Sequence, residues 1–572
     1  MQHSFAARLS RHPLLLVGLI SLAVFVGAHL TAFTNFYVIN DDVRQQIYWM
    51  AQFQDPELFP DDLLTDYARR YVPFGVKGLY WLASFLVSPL WFCKILPGLL
   101  FIWLGCLLYR MGEGLDGPPL GWTMAAVVWL VPLFLENLSG GLARSFAPPL
   151  LAWFWLGWLR RSPGTMGLAL LAQGLFIPYI FPVAAGAVLL AWGWGWLRGG
   201  ELPPFPRRLG HFLILASAAV LVFAFNRSLT QSGFGPLVSA AEMMGRPEFT
   251  AAGRYAFLPV ASLPWEFLTP LASLAPFREL GKVGGSVVLV ALLVWAGWGA
   301  RRLNRRQCAS RLSSLAFLLA SSLMFYFLAR LFFLKLFVPD RYLQHLLPLS
   351  YTVLLSWSWQ APFRGRRRVR YLPVLLIGLA ATLGVMRLHG AGLYDFSPYR
   401  SLYAALEQTP KSALIAGHPN LMDNAVTFGQ RRAFATFELA HPWSKGYWER
   451  LAPRLRELFA AYYAHDPRTV REFCRRHRID FLVLDRRHFE PAFLAGGAFL
   501  APFDDLKPVR DTPRLREKVT CPFFAPFDAE IRRTVQAGLP FALLSPEHFP
   551  GRDLDRHLRL IDMRPQPGSR GD

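Results

Sequence analysis

Long apolar segments recur through the first two thirds of the chain, separated by short stretches rich in arginine. A helix needs about 20 apolar residues to cross the hydrocarbon core of a membrane. The pattern therefore predicts an all-α polytopic membrane protein with about eleven transmembrane helices. The predicted spans are residues 13–38, 92–109, 118–135, 143–159, 165–181, 182–197, 210–226, 284–300, 312–337, 342–360 and 371–389.

The basic residues predict how these helices are oriented. Lys and Arg total 60 against 38 Asp and Glu, a net charge of +22, and loops that stay in the cytoplasm retain such residues. We therefore expect a bacterial inner-membrane protein with a cytoplasmic N-terminus, and the excess charge requires no nucleic acid partner. The clusters assigned to the cytoplasm are Arg110, Arg160 with Arg161, and residues 198–208, 301–311 and 364–370.

One further apolar stretch, Val76 to Pro89, conflicts with this orientation if it crosses the membrane. A span there would reverse every later helix and place the arginine clusters outside. We therefore predict an amphipathic helix on the outer membrane surface, with Lys77 and Trp81 at the interface. The outward loops are then residues 39–91 and 227–282 of a transmembrane module that covers residues 1–390.

Residues 391–562 are more polar and read as a soluble domain. The segments SALIAG and IDFLVLD have the short apolar character of buried strands, and residues 443–465 and 467–477 have helical spacing. We expect a periplasmic α/β domain, followed by a disordered tail at residues 563–572.

Several classes of site are absent from the sequence. The five cysteines form no CxxC pair, and a disulfide between Cys474 and Cys521 is left open because both are expected outside. There is no GxSxG, Walker or HExxH motif, so hydrolase and ATPase functions have no support. The histidines of the C-terminal domain lack zinc-like spacing, and these are His418, His441, His465, His477 and His488.

Two adjacent carboxylates, Asp41 and Asp42, follow the first span in the segment NDDVRQQIYWMAQF. A carboxylate at the membrane surface can accept a proton from a hydroxyl or amine that attacks a substrate. Neighbouring residues on a helix point about 100° apart, so one of the two would face a given substrate. The structural alternative is that Asp41 caps the following helix and Asp42 complements its dipole.

The acidic loop, the surface helix and the later string PDRYLQHLLPL resemble the GT-C superfamily of polyprenyl-phosphate-sugar-dependent glycosyltransferases, such as family 39-like or bacterial mannosyltransferase-like members. The KPPL-like motif of some members is represented only by Lys77. The resemblance implies that Arg341 binds the lipid-linked phosphate, with Tyr342 beside it. A guanidinium suits phosphate because its donors form a fork. The alternative is that Arg341 and Tyr342 anchor the outer end of a span.

Other charged residues are weaker candidates. Arg144, in NLSGGLARSFAPPLL, is also expected outside, and Arg330 lies within an apolar span, where charge is costly. Lys77, Arg144 and Arg330 are therefore further candidates for binding the donor phosphate. Glu242 and Glu248 are read as solvated. No cofactor is required by the sequence, although the two aspartates with phosphates could hold Mg²⁺ or Mn²⁺.

The resemblance implies transfer of a hexosyl or pentosyl group, with inversion, from a polyprenyl-phosphate donor to a periplasmic saccharide, lipid or protein of the cell envelope. Asp41 or Asp42, with Asp41 slightly preferred, would activate the acceptor. A transporter or flippase of lipid-linked saccharide is the first alternative, since it would use the same cations without a base. A non-catalytic envelope scaffold is the second.

Reporter fusions test the predicted orientation. A reporter joined after Gly365 is expected to signal a cytoplasmic position, and one joined after Ser412 a periplasmic position, because a single span separates them. Paired phosphatase and fluorescent reporters provide the measurement. The opposite pattern would show that Val76 to Pro89 crosses the membrane.

Overall fold

The computed structural model describes residues 12–198, 203–244, 246, 249, 262–274, isolated positions between 287 and 301, and residues 305–332, 335–363, 372–490 and 540–565. The predicted span 284–300, the residues Glu248 and Cys521, and most of the predicted tail lie outside the fully described ranges. Nothing further is said of those residues.

Helices dominate the first part of the chain, and prolines start many of them. Pro13, Pro89, Pro118, Pro132 and Pro163 each occupy the first turn of a helix, where the missing amide proton costs no hydrogen bond. The helices are Pro13–Ala28, Leu30–Thr34, Val43–Gln46, Leu63–Tyr71, Phe74–Ser84, Pro89–Asp116, Pro118–Leu130, Pro132–Leu138, Ala147–Leu159, Pro163–Phe176, Phe181–Arg198, Leu209–Thr230, Ala240–Met243, Leu263–Leu274, Arg305–Leu331, Leu346–Gln360 and Leu372–Leu388. Short 3₁₀ helices include Tyr48–Phe53, Ala143–Phe146 and Pro339–Tyr342.

Within the described ranges, three helices are long and apolar enough to cross a membrane: Pro89–Asp116, Leu209–Thr230 and Leu312–Leu331. Pro118–Leu130 and Pro132–Leu138 would add a fourth if they form one span bent by 67°. This confirms the expected membrane-protein character. The count of about eleven spans stays a prediction, because many of the other helices are shorter than the hydrocarbon core requires.

The positions of the predicted spans agree with the helices in outline. Apart from 284–300, each predicted span overlaps a helix of the structure. The first is interrupted, since Pro13–Ala28 ends before His29 and a short helix, Leu30–Thr34, follows. Gly117, with φ of +90°, makes the turn between the helix that ends at Asp116 and the next one, a conformation that glycine adopts without strain.

The predicted first outward loop contains helices, and none that lies wholly within it is long enough to be a candidate span. Phe74–Ser84 has 11 residues, and at 1.5 Å per residue a helix of this length covers roughly half of the hydrocarbon core. Trp81 and Leu82 on this helix are 49% and 58% exposed. These features support the prediction that Val76 to Pro89 does not cross the membrane, although the observed helix ends at Ser84 and a new one begins at Pro89.

The C-terminal region contains the expected sheet. Strands β3 (Leu414–Gly417) and β5 (Phe481–Asp485) confirm the two predicted strands, and β3 lies parallel to β5 and to β4 (Arg432–Ala433). Strand β7 (Leu558–Asp562) is antiparallel to β5 and to β6 (Arg552–Asp553), which gives the order β4-β3-β5-β7-β6. The accompanying helices are Arg400–Glu407, Pro419–Phe428, Lys445–Tyr462 and Pro467–His477. The last two confirm the helices expected from spacing.

Both of the loops predicted to face outward contact this sheet domain. Strand β1 (Val38–Ile39) pairs antiparallel with β2 (Tyr394–Asp395). Further along the first loop, the ammonium group of Lys411 lies 2.7 Å from the Asp55 carboxylate. The second loop joins through a hydrogen bond of 2.9 Å from the Val238 amide to the Trp443 carbonyl. The predicted topology requires these three regions to share one side of the membrane, and their contacts agree with that requirement.

A stack of tyrosines packs the first loop against the sheet domain. The rings of Tyr67 and Tyr447 lie 3.7 Å apart between centroids at an interplanar angle of 8°. Tyr67 is 1% exposed and Tyr447 is fully buried. The Tyr67 hydroxyl lies 3.1 Å from both Ser444 Oγ and His441 Nδ1. In the described residues, the Tyr447 hydroxyl has no hydrogen-bond partner.

Substitutions of Tyr447 test this packing. Tyr447→Ala should lower the free energy of unfolding by about 3–5 kcal/mol, because a buried ring is lost. Tyr447→Phe should cost less than about 1.5 kcal/mol, since the hydroxyl that it removes makes no hydrogen bond. Thermal unfolding in detergent provides the measurement. Equal destabilisation by both variants would show that the hydroxyl, not the ring, holds the contact.

Candidate active site

The acidic pair lies in a turn that precedes the one-turn helix Val43–Gln46. Asp42 occupies the N-cap position of this helix, but its side chain makes no capping hydrogen bond. The structural alternative placed Asp41 at this N-cap position, whereas the residue found there is Asp42. The turn is instead held by Asn40, whose Oδ1 accepts the Asp42 amide at 3.1 Å and whose Nδ2 donates to the Gly392 carbonyl at 2.7 Å.

Asp41 forms an ion pair with Arg44 one turn further on. The Asp41 side chain is 35% exposed, whereas that of Arg44 is only 8% exposed. A carboxylate has about four acceptor sites on its two oxygens. The geometry thus fixes one side of Asp41 against a buried cation while leaving the group accessible from solvent.

The sheet domain supplies the other partners of Arg44. Its Nη1 donates to Asn424 Oδ1 at 2.9 Å, and its Nη2 lies 3.9 Å from Glu438 Oε1. The guanidinium also lies 4.4 Å from the centre of the Phe396 ring. Burial opposes the charge, but the carboxylates of Asp41, Asp423 and Glu438 outweigh it and raise the pKa of Arg44. Arg44 is therefore a permanent cation that joins the first loop to the sheet domain.

Asp42 has a different set of partners. Its carboxylate forms an ion pair with Arg144 and accepts Gln45 Nε2 at 2.7 Å. Arg144 also donates to Asn40 Oδ1 at 3.1 Å. The backbone of Gly140 has φ of +88° and lies so close that an added Cβ would meet Asn40 Cβ at 2.9 Å. This glycine turn allows the Arg144 segment to approach the acidic loop.

Arg341 lies near Arg144, and the like charges repel each other. Its Nη1 donates to Gln344 Oε1 at 3.0 Å, while its Nε is buried without a hydrogen-bond partner in the described part of the chain. Burial alone would lower the pKa of Arg341. The charge of Asp340, followed by Tyr179 and Tyr71, outweighs this effect, so the pKa is raised. Arg341 thus keeps its charge and has donors that the described residues do not satisfy.

A tyrosine–histidine pair adjoins the two arginines. The Tyr179 hydroxyl lies 2.9 Å from His345 Nε2, which also lies 2.9 Å from Gln344 Nε2. His345 is 2% exposed. On the other side, burial raises the pKa of Tyr71, and the charge of Arg341 partly offsets this effect. Polar side chains from three distant parts of the chain therefore surround Arg341.

The remaining candidates from the sequence lie elsewhere. Lys77 donates to the Arg69 carbonyl at 3.2 Å and lies over the Phe74 ring, and no described contact joins it to the acidic pair. Arg330 donates to the Tyr326 hydroxyl at 2.9 Å near the end of its helix. Tyr342 is 4% exposed, and its hydroxyl donates to the Leu336 carbonyl. Arg144 relates the others, since it pairs with Asp42 and lies within electrostatic range of Asp41 and Arg341.

The acidic pair is a poor match for a divalent cation. Both carboxylates are paired with arginines, which oppose the approach of a second cation. Nowhere in the described ranges do three or more His, Cys, Asp or Glu side chains gather as metal ligands. The donor set present does not suit Mg²⁺ or Mn²⁺, which require several oxygen ligands.

Sequence reasoning did not identify several residues that build the cluster. Arg44 stood beside the acidic pair but was not assigned a role, and Asn424 and Glu438 lie about 380 to 390 residues away in sequence. The position of Arg44 three residues after Asp41 was a usable signal, because residues at this spacing share a helix face. His345 lies within the string PDRYLQHLLPL but was not selected, and Tyr179 gave no local signal.

Comparisons with known proteins are limited to solved structures. No family model and no curated protein matches the chain. The oligosaccharyltransferase of Archaeoglobus fulgidus, solved with Zn and sulfate, is similar at 13% identity over 86% of this chain and 70% of that one, with a TM-score of 0.48. The mycobacterial arabinofuranosyltransferase AftD is similar at 14% identity over 83% of this chain and 35% of that one, with a TM-score of 0.44. Likeness at this level does not establish a shared family or activity, and both stay predictions for this chain.

Substitution of Arg44 tests its role at the junction. Arg44→Met should lower the free energy of unfolding by about 3–5 kcal/mol, because it leaves buried carboxylates without a counter-charge. Adding Glu438→Gln should recover part of this loss by removing one of those charges. The exposed Arg468 provides a control, and Arg468→Met should change stability by less than about 0.5 kcal/mol. Thermal unfolding in detergent provides the measurement, and an Arg44→Met protein as stable as this control would contradict the assignment.

Proposed function

We propose that the protein is a membrane glycosyltransferase that moves a sugar from a polyprenyl-phosphate donor to a cell-envelope acceptor outside the cytoplasm. The observation that supports this proposal is the position of Arg144, which pairs with Asp42 and lies within electrostatic range of both Asp41 and Arg341. An accessible carboxylate and a guanidinium with unused donors are the two groups that such a displacement needs.

Asp41 is the proposed base. Its carboxylate accepts the proton of the acceptor hydroxyl while the hydroxyl oxygen forms a bond to the anomeric carbon of the donor sugar. The bond from that carbon to the phosphate oxygen breaks, and its electron pair leaves with the polyprenyl phosphate. Attack from the face opposite the leaving group inverts the anomeric configuration. Asp41 is preferred over Asp42 because it is 35% exposed against 25%, and because Asp42 holds Arg144.

Arg341 is the proposed phosphate ligand. Negative charge develops on the departing phosphate, and a preorganised guanidinium stabilises that charge most when it is already in place. Arg144, restrained by Asp42 and Asn40, adds further positive potential near Arg341. The contacts of Lys77, Arg330 and Tyr342 support no direct role for these residues at this phosphate.

The position of the cluster suits substrates from two phases. The long apolar helices offer a hydrocarbon-like path for an isoprenoid tail, whereas the loops and the sheet domain form a polar surface for a water-borne acceptor. A flippase would need the cations but no base, and a scaffold would need neither. Asp41 therefore separates the proposed function from both alternatives.

A transfer assay tests the proposal. Purified protein in detergent is mixed with radiolabelled undecaprenyl-phosphate sugars and a periplasmic acceptor extract. We expect Asp41→Asn to reduce kcat by about 10²–10⁴-fold, because the amide cannot accept the proton. Asp42→Asn should reduce kcat by a smaller factor, because it weakens the ion pair that positions Arg144.

The same loop offers a matched control. Asp61 and Asp62 form a second acidic pair, and Asp61 is exposed and makes no part of the cluster. Asp61→Asn should leave transfer unchanged. Transfer that survives Asp41→Asn and Asp42→Asn together would refute the proposed role of the pair.

A further inference from the structure

A cleft in the first outward loop lies apart from the Asp41 cluster. It has a volume of about 500 Å³ and is lined by Trp49, Gln52, Phe53, Arg69, Lys77 and Trp81, among others. The walls come from the 3₁₀ helix Tyr48–Phe53 and from the helices Leu63–Tyr71 and Phe74–Ser84. One side of the cleft therefore belongs to the helix predicted to lie on the membrane surface.

Positive charge gathers in this cleft without a counter-charge. Arg69 Nη2 donates to Gln52 Oε1 at 2.6 Å, and Lys77 Nζ donates to the Arg69 carbonyl at 3.2 Å. Both partners are neutral, and across the described ranges no carboxylate lies within ion-pair distance of Arg69, Arg70 or Lys77. Burial lowers the pKa of Lys77, and the charges of Arg69 and Arg70 lower it further. An anion bound here would relieve this repulsion.

Exposed apolar side chains continue from Trp81, at the cleft, to the end of the helix Phe74–Ser84 and into the turn that follows it. Trp81 and Leu82 are 49% and 58% exposed, and Phe85 and Leu86 are 69% and 93% exposed. Large contiguous apolar surface of this kind marks a membrane or ligand contact. The Trp49 ring, which Arg69 faces at 5.7 Å, extends the apolar lining into the cleft itself.

We infer that this cleft binds the phosphate headgroup of an anionic bilayer phospholipid, whose acyl chains lie along Trp81 and the apolar residues that follow it. Arg69 and Lys77 contact the phosphate, since lysine and arginine near a membrane surface attract anionic lipids. The polar cleft and the exposed apolar side chains that follow it match an amphiphile better than free phosphate, which would leave those side chains uncovered. This site is separate from the proposed transfer site and does not depend on it.

Gly78 offers a way to block the cleft without disturbing the fold. It lines the cleft, and a Cβ added to it meets no atom within 4 Å. It lies within the helix Phe74–Ser84, where a larger side chain is favoured over glycine. Gly78→Leu should therefore fold normally and fill the space that the headgroup would occupy. Gly114, another helical glycine with open space around it, provides the matched control Gly114→Leu.

Native mass spectrometry in detergent with added phosphatidylglycerol or phosphatidylcholine tests the inference. The unmodified protein should retain phosphatidylglycerol in preference to phosphatidylcholine. The double variant Arg69→Gln, Lys77→Gln lacks both cations. It should bind phosphatidylglycerol roughly 10–30-fold more weakly, since each cation contributes about fivefold to the affinity. Gly78→Leu should have a comparable effect, whereas Gly114→Leu and Arg468→Gln should bind as the unmodified protein does.

Two competitors distinguish other sources of phosphate. Inorganic phosphate at millimolar concentration should not displace the lipid, and displacement would show that the cleft recognises the anion alone. Undecaprenyl phosphate should compete weakly. A different result would overturn the inference: the protein binds undecaprenyl phosphate but not phosphatidylglycerol, and Gly78→Leu abolishes that binding. This result would assign the cleft to the donor lipid. Unchanged phosphatidylglycerol binding in all cleft variants would also overturn it.

Discussion

The guanidinium of Arg44 is buried between the first outward loop and the sheet domain, and its side chain is only 8% exposed. A charge at this depth costs several kcal/mol unless opposite charge and hydrogen-bond acceptors surround it. Asp41 provides one partner from the loop, whereas Glu438 and Asn424 provide the others from the sheet domain. Separating the two regions would leave both the cation and the carboxylates without partners. The position of Asp41 therefore depends on a domain that begins some 350 residues later in the chain.

This dependence explains how two adjacent aspartates acquire different environments. Asp41 turns toward the sheet domain and Arg44, while Asp42 turns toward Gln45 and Arg144. Asn40 holds the turn between them through its bonds to the Asp42 amide and the Gly392 carbonyl. Two carboxylates on neighbouring residues would repel each other if both lacked counter-charge. Separate arginines remove that repulsion and allow one carboxylate to remain accessible.

The sequence predicted the features that follow from local patterns. Apolar length located most helices, and period and composition located β3 and β5. The arginine clusters predicted that Val76 to Pro89 does not cross the membrane, and the 11-residue length of the helix Phe74–Ser84 supports that prediction. The sequence also selected Asp41, Asp42, Arg144 and Arg341, which are related through Arg144. It did not predict Glu438 or Asn424 as partners, because contacts across such separations are set by packing and leave no local signature. Lys77 was assigned by analogy with a motif, and the structure places it in a different cleft.

The arrangement of the two arginines bears on whether Arg341 only anchors a helix end. A snorkelling arginine extends its donors into water, whereas the Nε of Arg341 is buried without a partner in the described residues. Arg144 lies close enough to repel Arg341. The carboxylate of Asp42 is paired with Arg144 and is not shared with Arg341. Holding two guanidinium groups together is unfavourable until an anion lies between or beside them. The proposed site would therefore favour a bound phosphate, and the gain would grow as negative charge accumulates on that phosphate. This is the condition that separates stabilisation of a leaving group from simple binding.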